Sequence, residues 1–240
     1  MAALGKKRRD AMQRFDRSAA YSPAEAVGLV KALASANFDE SVEAAFNLGI
    51  DARQADQIVR GTIALPNGTG KDVKVVAFAE GDAAREAANA GADLVGGSEL
   101  AEAIQSGSQS LDWDVTIAHP SMMSEVGKLG RVLGPRGLMP NPKAGTVTPD
   151  VGKAVADFKA GQVEYRNDRY GNVHVVVGKV SFDDSALLQN LAAVVDELQR
   201  NRPAAAKGRF IRRLTVSSTM GLGVKIDVNR LEDLVERIRA

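Results

Sequence analysis

The chain has 240 residues, 45% of them hydrophobic, which is enough for one large domain or two small ones with a real core. The absence of cysteine excludes a disulfide framework, a thiolate metal site and a cysteine nucleophile, and suits a reducing cytoplasm. The formal charge of +1 gives no hint of nucleic acid, but residues 1–66 and 160–240 together sum to +4 and residues 67–159 to −3, which hints at two units, the basic one split across both ends. Residues 1–17, with Lys6, Lys7, Arg8 and Arg9, form a basic arm or short helix. No apolar run of signal-peptide or membrane-spanning length follows, so the expectation is a cytoplasmic protein with no membrane partner.

Ser22-Pro23-Ala24-Glu25 reads as a helix start, with a serine cap, proline in the first turn and a glutamate placed to close a capping box. Ala26, Leu29, Val30 and Leu33 continue at helical spacing. Val42, Ala44, Phe46, Leu48 and Ile50 alternate with Ser41, Glu43, Asn47 and Gly49, as in a strand with one wet face. A second strand holds Val59, Ile63 and Leu65, and Pro66-Asn67-Gly68 breaks it. Val73–Ala79 is a continuous apolar run, as in a strand buried on both faces. A helix over residues 83–90 stopped by Gly91, a strand over 93–97, a helix over 99–104 and a strand over 115–118 complete a small parallel α/β unit. Val163 and Tyr165, the turn Asn167-Asp168, and Val173, Val175 and Val177 read as a hairpin. Asp183 or Asp184 starts a helix carrying Leu187, Leu191, Val194, Val195 and Leu198, and Pro203 ends it. A last strand covers about 210–218, and Leu231, Leu234, Val235 and Ile238 give a short amphipathic helix.

Neither terminal piece buries its apolar faces alone. Joined, they make an antiparallel sheet backed by two helices. The fold expected is α/β in two domains. An outer split α+β domain covers 1–67 plus 160–240, and an inserted Rossmann-like α/β domain covers 68–159, with the two crossings acting as a hinge.

Catalytic and cofactor motifs fail in detail. Gly68-Thr69-Gly70-Lys71 resembles the end of a phosphate-binding loop, but Leu65 stands where the first glycine belongs and Asp72 where the serine or threonine belongs. Gly91, Gly96 and Gly97 miss the dinucleotide fingerprint. His119 precedes Pro120 at a strand end and His174 sits among valines. No nucleophile elbow or metal-ligand spacing is present, so neither an enzyme nor a cofactor is expected.

Two patterns point to RNA. The stretch from Gly127 to Thr146 is a long loop dense in Gly and Pro and carries Lys128, Arg131, Arg136 and Lys143 with no acid; it is either a phosphate-attracting loop or a structured surface loop closing the insert. In the terminal pieces, Phe38 and Glu43 border the wet side of the first strand, Arg53 and Arg60 follow, and Arg166, Asn167, Arg169 and His174 lie on the hairpin. Lys207, Arg209, Arg212 and Arg213 surround the last strand, which ends in Ser217-Ser218-Thr219-Met220-Gly221. Cations for phosphate, hydroxyls for 2′-OH and soft groups for bases suit RNA; a merely solvated sheet face has a similar composition.

Phe38–Glu43, Asn47–Asp51, Val59–Thr62, Gly91-Ala92-Asp93, Val95-Gly96-Gly97, Lys128–Thr146, Arg166-Asn167-Asp168 and Thr219-Met220-Gly221 together resemble the bacterial large-subunit ribosomal protein L-one family, over roughly residues 5–225. The resemblance implies a middle domain inserted into an outer one, and binding of the mobile large-subunit rRNA stalk beside the tRNA exit site. It also implies a part in release of deacylated tRNA, neighbouring ribosomal components, and repression of the protein's own operon mRNA. Carried onto this chain, Phe38 and Met220 would pack on sugars and base edges, Glu43 would accept from 2′-OH or base amino groups, and Thr219 and Gly221 would bond riboses. Arg53, Arg60, Arg166, Arg169, Lys207 and Arg209 would meet phosphates, with Ser217 and His174 beside them, and the Lys128–Lys143 stretch would add RNA or tRNA contacts. The tail beyond about Lys225 runs longer than the resemblance leads one to expect; its balanced charges fit a packed or frayed extension.

Overall fold

The computed structural model describes residues 5–239; the side chains of Lys143 and of residues 237–239, Ile238 among them, lie outside the described part. In chain order the elements are α1 (Lys6–Gln13), α2 (Pro23–Leu33), β1 (Ser41–Leu48), β2 (Arg60–Ala64), β3 (Val75–Phe78), α3 (Gly81–Asn89), β4 (Leu94–Gly96), α4 (Ser98–Gln105), β5 (Val115–Ala118), α5 (Met123–Lys128), α6 (Gly130–Leu133), α7 (Val151–Lys159), β6 (Gln162–Arg166), β7 (Asn172–Lys179), α8 (Asp184–Arg200), β8 (Ile211–Ser218), β9 (Val224–Ile226) and α9 (Leu231–Arg239). The fold is mixed α/β, with one antiparallel and one parallel sheet. The chain divides into two compact units, Met1–Gly70 with Tyr165–Ala240, and Lys71–Glu164.

The first unit is built on a four-stranded sheet in the order β7-β1-β8-β9, antiparallel throughout. The alternation in β1 works as anticipated: Val42, Ala44, Phe46 and Leu48 are buried, while Ser41, Glu43, Ala45 and Asn47 face out. The strand stops at Leu48, short of Ile50, because Gly49 donates its N–H to Phe210 O and the chain bends there. Helices α2 and α8 cover the apolar face of the sheet, and α9 packs on α8 with Leu231, Leu234 and Val235 buried. The tail is therefore a packed extension. Lys31 joins the two covering helices, its Nζ donating to Phe182 O at 2.7 Å and Asp184 Oδ1 at 2.6 Å. Asp183 occupies the N-cap position of α8 without a side-chain bond.

Helix α2 begins on the anticipated capping box. Ser22 accepts from Glu25 N–H, and the Glu25 carboxylate accepts from Ser22 N–H at 3.0 Å. Tyr21 just before it is bonded to Lys225 O and Asp227 N–H, which fixes the helix start beside β9. Ser22→Ala removes the cap and is expected to lower stability in urea unfolding by about 1 kcal/mol, with no change in m-value.

Two expectations need correction. The hairpin of residues 163–177 is a turn without a hairpin: β6 pairs with β2 in a separate two-stranded sheet, β7 pairs with β1, and a single bridge at Asn167 and Val173 links them. The second N-terminal strand accordingly does not join the main sheet, whose fourth place is filled by β9, a strand too short to be seen in the sequence.

The second unit has a three-stranded parallel sheet, β4-β3-β5, buried on both faces. Val76 and Phe78 of β3 pack with Leu100, Ile104, Val126, Leu129 and Leu133 on one face. Val75 and Ala77 pack with Ala87, Val151, Val155 and Phe158 on the other. The second correction lies here. The Gly/Pro-rich stretch expected as one long loop holds regular structure: α6 and two short 3-10 turns, Gly134–Arg136 and Pro142–Ala144, run through it. Leu129, Leu133 and Leu138 are driven into the core, and the helix α7 after it went unread in the sequence.

Candidate nucleic-acid interface

Register fixes which side chains meet on the open face of the four-stranded sheet. Glu43 stands opposite Val176 on one side and Ser217 on the other. The next row runs His174, Ala45, Thr215, Lys225, and the next Asn172, Asn47, Arg213. Asn47 Nδ2 donates to Asn172 Oδ1 at 2.8 Å, closing that row. The face is thus polar and small-sided, with Glu43, His174 and Arg213 exposed and Ser217 half-buried.

At the end where β1 starts and β8 finishes, Phe38 and Met220 are exposed apolar side chains, at 58% and 65%. A buried carboxylate joins them. Glu40 is 1% exposed; its Oε1 accepts from Ser35 N–H at 2.9 Å and Ala36 N–H at 2.8 Å, and its Oε2 from Ser218 Oγ at 2.7 Å and Met220 N–H at 2.9 Å. Burial pushes the Glu40 carboxyl up, but the Met220, Ser218, Ala36 and Ser35 donors outweigh it and hold the group below its usual range. Thr219 Oγ1 accepts from Ser41 N–H at 2.9 Å and donates to Ser41 O, so the segment after β8 is stitched to the head of β1 twice. Gly221 is required by crowding: a Cβ there would stand 2.3 Å from Ser218 Oγ, the Glu40 donor. The basic helix α1 borders the same place. Lys7 Nζ donates to Ser35 O at 2.9 Å, and Lys6, Lys7 and Arg8 line a cleft with Met220, Gly221 and Leu222. Helix α1 buries none of its residues and has no acid in its first turn, so its cations oppose the helix dipole.

The other sequence-predicted cations lie elsewhere in this unit. Arg169, at the tip of the turn before β7, and Arg209, which donates to Asn229 Oδ1, stand at the far end of the sheet with Arg213, about 23 Å along the eight-residue β1 from the Phe38 end. Lys207 is exposed just before β8, and Arg53 is exposed in the turn after β1. Arg60 and Arg166 belong to the β2–β6 ribbon, where Asn167 bonds Val59 through both its N–H and its Oδ1. The structure therefore gathers Phe38, Glu43, Ser217, Thr219, Met220 and Gly221, but spreads the arginines over the far end of the sheet and the ribbon. Sequence reasoning missed Glu40 and the placement of α1.

In the second unit Lys128 pairs with Glu125 at 2.7 Å, Arg136 Nη1 reaches Leu111 O at 3.4 Å, and Arg131 is exposed; the Lys143 side chain lies outside the described residues. His119 Nδ1 contacts Ser121 Oγ at 2.6 Å and accepts from Ser121 N–H, a cap on a 3-10 turn. Among the described residues, no helix is long and apolar enough to cross a membrane.

A sheet face read by a carboxylate, hydroxyls and exposed apolar tips, with cations around it, suits a structured RNA better than a small substrate. Comparison with known families agrees: residues 30–222 match the model of the Ribosomal protein L1p/L10e family. That match spans most of the chain, which therefore belongs to this family and is a ribosomal protein of the large subunit that binds rRNA, in a family of structural RNA-binding proteins and not of enzymes.

Proposed function

We propose that the protein holds the mobile rRNA stalk beside the tRNA exit site, assists release of deacylated tRNA, and represses translation of its own operon mRNA, all in the cytoplasm. Residues 1–67 with 160–240 act as the RNA-binding domain and residues 68–159 as an inserted domain that moves about the two crossings. The observation that carries the reading is the Phe38–Met220 end of the sheet. There two apolar side chains stay in water while a buried carboxylate and Thr219 fix the backbone beneath them, a preorganised surface that the described residues leave exposed. Glu43 and Ser217, facing each other beside it, supply an acceptor and a hydroxyl for ribose edges. Lys128, Arg131, Arg136 and Lys143 offer further phosphate or tRNA contacts.

The test is filter binding to a large-subunit stalk fragment at moderately high salt, beside a scrambled RNA of equal length. Tight binding of the stalk fragment alone is expected, and equal binding of both would sink the reading. Met220→Ala is expected to weaken stalk binding by roughly tenfold with an unchanged melting temperature, and Thr219→Ala to weaken it as much with a small fall in melting temperature, because its two bonds to Ser41 go with the hydroxyl while the domain still folds. A leader RNA from the protein's own operon that fails to compete with the stalk fragment would remove the repressor role alone.

A further inference from the structure

The far end of the sheet carries a feature that phosphate contacts leave unused. Tyr170 is 68% exposed, matched among the described large apolar side chains only by Met220 at the opposite end. Its loop is held firmly. Asp168 Oδ1 accepts from Tyr170 N–H and from Asn172 N–H, both at 2.8 Å, and Asp168 Oδ2 accepts from Asn172 Nδ2 at 3.0 Å. Gly171 follows at φ 77°, and a Cβ on it would meet Ile50 Cγ1 at 3.2 Å, so the turn is seated against the end of β1. The Arg169 guanidinium lies over the Tyr170 ring, 4.9 Å from its centroid. The ring is thus backed by a cation and open to solvent. Arg53 and Arg213 at the same end have no ion pair among the described residues, and the nearby Asp51 and Asp168 carboxylates are taken up by backbone N–H groups.

We propose that Tyr170 is a stacking site for an unpaired base of the bound RNA. It makes a second point of recognition about one strand length, roughly 23 Å, from the Phe38–Met220 end. A flat ring with a guanidinium behind it and free cations around it matches a polyanion that carries planar bases. A rigid turn suits it, since little side-chain or loop freedom is lost when the base arrives. The two ends of the sheet then measure the RNA: the first reads ribose and shape, the second asks for a displaced base at a set distance. The inference rests on the RNA-binding reading above.

The experiment uses the full chain and the stalk rRNA fragment, with Tyr170→Ala, Tyr170→Phe, Tyr170→Trp and Met220→Ala. Tyr170→Ala is expected to weaken binding on the order of tenfold, the loss of one stacked base, while Tyr170→Phe keeps wild-type affinity. Tyr170→Trp is expected to bind as wild type and to show fluorescence quenching on RNA addition. The natural Trp113 is a buried reporter in the other unit that gives a steady background. Wild-type affinity in Tyr170→Ala together with weakened binding in Met220→Ala would overturn the stacking site and leave the primary face standing. Equal losses in Tyr170→Ala and Tyr170→Phe would place the contact on the hydroxyl and also overturn it. Absence of stalk binding by the wild-type chain would sink both.

Discussion

Glu40→Ala is expected to cost the protein about 3–5 kcal/mol of stability and to lower its affinity for the stalk fragment on the order of a hundredfold. The stability loss follows from what the carboxylate holds. Three backbone N–H groups and one hydroxyl, on the loop before β1 and at the end of β8, all point at two oxygens that are 1% exposed. Removing the acceptor leaves those donors without the one partner they share, and the Ser218 hydroxyl among them is buried. The affinity loss follows from position: Met220 N–H is one of the donors, and Phe38 lies two residues before the acid. Freed of Glu40, both apolar tips lose their fixed backbone, and two contacts worth about 1.4 kcal/mol each disappear. Glu40→Gln separates the two effects. Its oxygen still accepts from Ser35 and Ala36 and Ser218 can turn its hydroxyl round, but the amide faces Met220 N–H donor to donor. It is expected to lose less stability than Ala and nearly as much RNA affinity. Equal affinity of Glu40→Gln and wild type would show that the carboxylate only braces the fold. Thermal unfolding and filter binding on the same samples decide it.

The same group sets an acid limit. Its pKa is lowered in the folded state, so the stabilisation it provides is complete above its unfolded value of about 4.5 and is lost as pH falls through the lower folded value. Asp168 runs in the same direction: burial raises it, and the Asn172 and Tyr170 bonds outweigh burial. Wild-type stability therefore falls on the acid side of the ordinary carboxylate range, and in Glu40→Gln that slope is shallower.

How much of this was legible in the sequence depends on how local the cause is. The wet face of β1 could be read because alternation is a property of the strand itself, and the α2 capping box because its partners are three residues apart. The β6–β7 pairing could not. Asn167-Asp168 gives a true turn, yet whether the strands beside it meet depends on β1 and β2, far away in the chain. In the stretch after Gly127, the density of Gly and Pro masked Leu129, Leu133 and Leu138, whose spacing is that of a short helix and the turn after it. Glu40 looked like one more acid between Asp39 and Ser41. A signal was there: it shares the even parity of Val42, Ala44 and Phe46, the buried side of the strand, where an unpaired carboxylate has no place unless donors converge on it. The arginines were read as one site because composition carries no register, and the structure distributes them over two places.

Asn190 shows the same signal on a helix, and its replacement is the second large effect. It falls between Leu187, Leu191 and Val194 on the apolar face of α8, is fully buried, and uses both ends of its amide. Its Nδ2 donates to Gly68 O at 2.9 Å and Val177 O at 2.8 Å, while its Oδ1 accepts from Asn67 N–H at 3.0 Å. Asn67 adds its own amide bonds to Gln189 Oε1 and Ala186 O. The chain leaving β2 is thereby clamped to α8 and β7, and Gly70 beyond it is so close to Lys179 and Phe182 that a Cβ would stand 2.8 Å from each. Asn190→Leu keeps the volume and adds apolar area, so a packing account expects little change. The hydrogen-bond account expects the opposite: the Val177 carbonyl is left buried without this donor, and the Gly68 carbonyl and Asn67 N–H lose their partner at a part-buried place, at about 1–3 kcal/mol for the buried group and less for the other two, for a net loss of roughly 2 kcal/mol after the gain from the leucine. Hydrogen exchange should localise the damage, with Asn67 and Gly68 amides losing protection while the α8 interior keeps it. An Asn190→Leu protein as stable as wild type, with those amides still protected, would mean that the segment is held by Gly70 packing and Asn67 alone.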